Sequence, residues 1–301
     1  MSFSTSPKPS TAATYAESTL SNGIKLSTKE FPGKVSLLIN KRFYCFIVSL
    51  LFICNPHSHS RFRPQVASFK FSVSAGSAYE SLSQKGAAQL VATSAFCSTA
   101  KTSSIRLVRD LENIGAVFES SADREQITLS LAVPSEKAET AFGIVGQFFA
   151  YGPNAPYLVE ESKEVAEIAY QKHYSSPTSV LSEMIHEAAF GEGSPYGSSF
   201  YASSVDKLNP TDVLAFRSSA FKAGSTFIAA SGVEHKSVQA WSETAFQSLA
   251  SGANKLPSFS FTGGDVKLKA DTEGVAYCAL AFPVPAGEAG KEAMHAFDSF
   301  E

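Results

Sequence analysis

Strand-period and helix-period signals alternate along this chain from residue 20 to about residue 252, and that mixture restricts it to a layered α+β fold. Ser21-Asn22-Gly23 is a turn signal that feeds a short strand ending near Thr28. In Ser68–Ser74 the alternation of Phe69, Phe71 and Val73 predicts a strand with one apolar face. Ala87–Phe96 predicts an apolar helix. Ser103–Asn113 predicts a second, with Ile105, Leu107, Val108 and Leu111 at helical spacing and Gly115 as its stop. Ala116–Ser121 and Gln126–Val133 read as two strands joined by a solvated Asp123-Arg124-Glu125 turn. Helices are expected over Glu136–Ala150, Leu158–His173, Thr178–Phe190, Thr211–Phe221 and His235–Leu249, with a buried strand at Ser225–Ser231. After a Phe/Ser/Gly-rich connector at Pro257–Gly264, Val275–Val284 has strand character and Lys291–Glu301 begins another helix.

A chain of 301 residues can bury a substantial core. Its formal charge of −3 supplies no electrostatic reason for a nucleic-acid or anionic-membrane partner. Cys45, Cys54, Cys97 and Cys278 have no regular spacing, which argues for reduced thiols rather than a disulfide scaffold. The first 20 residues are rich in Ser, Thr, Ala and Pro, as transit peptides are, but the first Arg is Arg42, which transit peptides would not show. Targeting stays open on these residues alone.

Val35–Gln65 differs from its flanks. Its twelve-residue run Phe43–Cys54 would span roughly 18 Å as a helix, short of a hydrocarbon core of about 30 Å. Cys54, His57 and His59 lack a matching second half for a metal site. Excising the segment joins Lys34 to Val66 in a short turn that leads into the alternating strand. It begins with Val (codons GT-) and ends with Gln (codon CAG), as a retained in-frame intron would.

The stretch Gly86–Thr99 carries the functional argument. An inverted zincin helix places His at i, Glu at i+3 and His at i+4 on one helix face. Ordered words in this chain resemble the pitrilysin/insulinase-type peptidase family: Ser21–Leu26, Ala75–Glu80, Gly86-Ala87-Ala88, Leu111–Ala116, Glu183–Phe190 and Ser231–His235. That family includes the mitochondrial processing peptidase and the core subunits of respiratory complex III. Carried across residue by residue, its two zinc histidines fall on Gln89 and Thr93 and its base on Ala92. Its third ligand, a Glu roughly 76 residues further on, falls on Ala169, with Glu164 and Glu167 nearby. No metal, cofactor or catalytic residue is therefore expected.

The resemblance implies an antiparallel-rich sheet packed with helices, as in the processing-peptidase type of metallohydrolase fold. The expected domains are a flexible or targeting segment at 1–19, a peptidase-like domain at 20–252 interrupted by 35–65, and at 253–301 a linker with the start of a second, homologous domain. Within the family the pattern is most similar to complex III core subunit 2, which implies a non-catalytic scaffold on the matrix side of the mitochondrial inner membrane. Its partners would be the paralogous core subunit 1 and other complex III subunits, with no nucleic acid and no span of its own. The alternatives are the non-catalytic alpha subunit of the processing peptidase, which recognises presequences, and a truncated product with no stable function. The remaining residues have bland readings. His173 and His186 are expected as helix-surface or hydrogen-bonded histidines rather than ligands, Gly191–Gly197 as a loop, Ser198–Ser204 as a polar loop, Phe142, Phe148, Phe149 and Tyr151 as core, and Cys97 as a small buried hydrophobe.

Overall fold

The computed structural model describes residues 14–30, 66–97, 99, 101–152, 156–201, 205–269 and 274–284. The segment 35–65, the helix expected at 291–301 and residues 1–13 lie outside the described residues. Six strands, β1 (Thr14–Thr19), β2 (Lys25–Glu30), β3 (Val66–Val73), β4 (Val117–Ala122), β5 (Ile127–Pro134) and β6 (Thr226–Ser231), form one mixed sheet in the order β1-β2-β6-β3-β5-β4. Only β2 and β6 run parallel, so the sheet is antiparallel-rich as expected. Among the described residues the α-helices are α1 (Ala87–Thr93), α2 (Ser104–Asn113), α3 (Ala138–Tyr151), α4 (Pro156–Tyr174), α5 (Pro177–Phe190), α6 (Pro210–Ala220) and α7 (His235–Ala245).

Two expectations change, and the strand order adds a third finding. Thr14–Thr19 is the edge strand β1, which pairs antiparallel with β2, so the ordered sheet starts inside the segment expected to be flexible. Its sequence, Thr-Tyr-Ala-Glu-Ser-Thr, carries no apolar stripe, so alternation gives no strand signal there. Strands β2 and β3 are not hairpin partners, since β6 stands between them. Finally, Val275–Val284 has no regular secondary structure. Alternation tells which residues share a face but not which strand stands alongside, and the described sheet is complete without this segment.

The core forms where the alternating strands meet α3 and α7. On β3, Ala67, Phe69, Phe71 and Val73 are buried while the residues between them are half-exposed. Register puts Phe69 opposite Leu131 and Ala230, and Phe71 opposite Leu129 and Ile228, so all share one face. Phe142 of α3 lies edge-on to Phe69 at 5.4 Å and to Phe71 at 5.2 Å. Phe246, just past α7, closes the cluster against Phe149 at 5.0 Å. Phe142, Phe71 and Phe246 are fully enclosed. Aromatic clustering of this kind contributes about 0.5–1.5 kcal/mol per pair beyond area burial. Gly146 lets α3 and α7 approach, because a Cβ there would stand 2.6 Å from the Cβ of Ala245. Among the described residues no helix is long and apolar enough to cross a membrane.

Candidate functional site

Helix α1 is short, and its sequence shows why. Gly86 occupies its N-cap in the left-handed region, at φ 94°, with no side-chain cap of its own. The cap comes instead from Glu80, whose Oε2 accepts the Gly86 N–H at 2.9 Å and whose Oε1 accepts the Ala88 N–H at 2.6 Å. Burial pushes the Glu80 carboxyl up to about 7, against the opposing pull of the two backbone N–H bonds and of Lys85. At the other end, the Thr93 and Ser94 hydroxyls donate back to the carbonyls of Gln89 (2.9 Å) and Val91 (3.1 Å). Phe96 then turns the chain with φ 58° and sets its ring 4.9 Å from Phe118. The helix therefore ends at Thr93, three residues before the expected end.

Between these ends every residue from Ala87 to Ala92 is buried. Gln89 and Ala92 sit in the packed interior and Thr93 is half-buried. Helix α4 packs on α1. Its inward stripe is Val159, Ser162, Lys163 and Ala166, and half-buried Ala169 continues that stripe three residues on. The structure thus puts all four expected positions on two helices in contact. Glu161 and Glu164 point to solvent, and Glu167 accepts a hydrogen bond from Gln171 Nε2 at 3.0 Å.

The donor set at these positions is one amide, one hydroxyl already committed to Gln89 O, and two methyl groups. A catalytic zinc needs about three imidazole, thiolate or carboxylate ligands, and these four residues supply none. They do not fit the ion. Among the described residues no group of three His, Cys, Asp or Glu stands together elsewhere. Cys97, half-buried beyond α1, has its thiol pushed up by burial and by the charge of Glu161.

The Asp123-Arg124-Glu125 turn is not the solvated turn expected. Ser77 N–H and Ala78 N–H donate to the carbonyls of Asp123 and Arg124. Arg124 Nη2 pairs with Glu183 Oε2 of α5 at 2.7 Å, with side chains 14% and 11% exposed. Arg124 Nε donates to Tyr196 O at 3.2 Å, and the same Glu183 oxygen accepts the Phe200 N–H at 3.0 Å. Tyr196 Oη donates to Glu125 at 3.1 Å. The turn is therefore a polar latch between the sheet and α5. His173 and His186 lie on α4 and α5, each with a neighbour. His173 stacks on Tyr201 with ring centroids 4.2 Å apart, and His186 Nδ1 lies 2.8 Å from Ser182 O. Burial holds both below the ordinary histidine range. Sequence reasoning missed the latch and the Glu80 cap. Glu80 and Glu183 both lie in the words that carried the family resemblance, but a single sequence does not say what a carboxylate will touch.

Comparison with known proteins agrees with this fold. Residues 58–202 match the family described as insulinase (peptidase family M16); the match begins inside the segment 35–65. The mitochondrial-processing peptidase subunit alpha of Solanum tuberosum is 31% identical over 224 residues, covering 73% of this chain and 44% of the relative. The probable subunit alpha-1 of Arabidopsis thaliana is 34% identical over 240 residues, covering 76% and 46%. Cytochrome b-c1 complex subunit 2 of Cryptococcus neoformans is 25% identical over 210 residues, covering 68% and 47%. The chain thus spans just under half the length of these relatives. Among solved structures, a peptidase M16 inactive domain from Pseudomonas fluorescens superposes with a TM-score of 0.64 at 16% identity, covering 81% of this chain and 54% of that one, a likeness of fold. By these sequence matches, this chain carries a domain of the insulinase-type peptidase family, M16.

Proposed function

We propose that this chain supplies a non-catalytic M16-type half to a mitochondrial multi-subunit assembly. The observation that carries the reading is the donor set at Gln89, Ala92, Thr93 and Ala169, which offers zinc no ligand and water no base. With those side chains gone, α1 is packed as core, with Leu90 and Val91 fully enclosed. Such a fold serves as a rigid body whose surface binds other chains.

Two assemblies are candidates. The 31% and 34% identity to processing-peptidase alpha subunits supports the alpha-type role, in which the chain pairs with a catalytic partner and contributes to presequence recognition. The 25% identity to a cytochrome b-c1 complex subunit 2 supports the core-2 role first expected, a complex III scaffold on the matrix side of the inner membrane beside core subunit 1. The higher identities favour the alpha-type role. In either case we read 14–252 as the first of two homologous domains and 35–65 as translated intron, which long-read sequencing of mature transcripts tests.

Affinity capture of the tagged full chain from mitochondria tests the reading. A processing-peptidase beta-type partner supports the alpha role, and complex III subunits support the core role. Stoichiometric zinc in the purified chain, or cleavage of a presequence peptide by it alone, overturns both.

A further inference from the structure

Helix α5 is apolar along Val180, Leu181, Met184, Ile185 and Phe190, yet none of its residues is fully buried. Its middle is held by the Arg124–Glu183 latch. Its C-terminal half is covered by a segment without regular secondary structure, residues 257–268. Thr262 N–H and Gly263 N–H both donate to Ala189 O, at 2.8 and 3.3 Å. Gly263, at φ 68°, turns these two successive N–H groups onto one oxygen. Phe259 lies edge-on to Phe190 at 5.9 Å and 5.1 Å from Tyr196. Further on, Val266 and Leu268 close a cavity of about 340 Å³ over Val180 and Met184.

The remaining attachment is slight. Phe259, Phe261 and Leu268 are 57%, 51% and 63% exposed, so the segment is fixed by the Ala189 carbonyl, by Phe259 against two rings and by the rim of the cavity. Elements held by so few buried contacts open locally at a small fraction of the global unfolding free energy.

We propose that residues 257–268 are a detachable strap whose release uncovers the apolar face of α5 from Val180 to Phe190 while the Arg124–Glu183 latch keeps the helix docked. The strap links the position of the chain beyond residue 268 to the exposure of an apolar helix face. The device is independent of which assembly the chain joins.

Hydrogen exchange read by mass spectrometry on the full chain tests it, with two variants that attack different fastenings. Phe259→Ser removes the ring contact, and Thr262→Pro removes one of the two N–H donors. Each is expected to speed exchange of the last two turns of α5 about tenfold, with β3, β5 and α3 unchanged. The proposal falls if either variant leaves α5 at its original rate. It falls equally if the sheet accelerates together with α5, because the segment would then be part of the cooperative core.

Discussion

Replacing Glu80 by Gln isolates a contest between two physical effects at the start of α1. The carboxyl is drawn in from solvent, which favours its neutral form, and it accepts two backbone N–H bonds, which favour its charged form. Burial wins, and the group titrates near 7 rather than at its ordinary 4.5. The folded protein then binds this proton more tightly than the unfolded chain does. Glu80 contributes stability that is complete below about pH 4.5 and is lost as pH rises through about 7, by about 3 kcal/mol at roughly 1.4 kcal/mol per tenfold in proton affinity. Glu80→Gln abolishes the titration, although its amide can accept only one of the two N–H groups, which costs about 1–3 kcal/mol at every pH. Urea unfolding of both proteins between about pH 4.5 and pH 8 reads the difference, and the subtraction cancels His173, His186 and every other shared group. The variant should gain on the wild type by about 3 kcal/mol across that window. A pH-independent difference would refute the raised titration. A difference that moves the other way would show that the two amide bonds outweigh burial.

The Arg124–Glu183 latch makes a second test. Arg124→Met or Glu183→Gln alone strands a partner that is about nine-tenths buried and should cost about 3–5 kcal/mol, whereas the double variant should recover much of that loss in a double-mutant cycle. Additive losses would mean that the two groups do not act as a pair. Phe142→Ala opens the centre of the aromatic cluster and should lower unfolding stability by about 3–5 kcal/mol; a loss under about 1 kcal/mol would place the core elsewhere. The zinc-slot assignment is tested by restoration. The fourfold variant Gln89→His, Ala92→Glu, Thr93→His and Ala169→Glu should bind one zinc ion by metal analysis, while the wild type binds none. A folded variant that takes up no zinc would show that α1 and α4 do not bring those positions together.

Local sequence carries most of the element list, with the strand β1 and the irregular Val275–Val284 as the exceptions. Phe69, Phe71 and Val73 at period two, the Pro residues that open α5 and α6, and Gly115 after α2 each act within one turn or one strand, so local sequence determines them. The absence of imidazole and carboxylate at Gln89, Ala92, Thr93 and Ala169 is legible in the same way, because ligand chemistry belongs to the residue itself. Tertiary structure alone decided the rest. β6 slots between β2 and β3, Glu80 turns to cap α1, and Arg124 reaches across to Glu183, 59 positions away. Residues 257–268 also lie back over α5. Each of these depends on which distant group ends up alongside, and a polar residue reads the same in sequence whether its partner is water or a buried counter-charge.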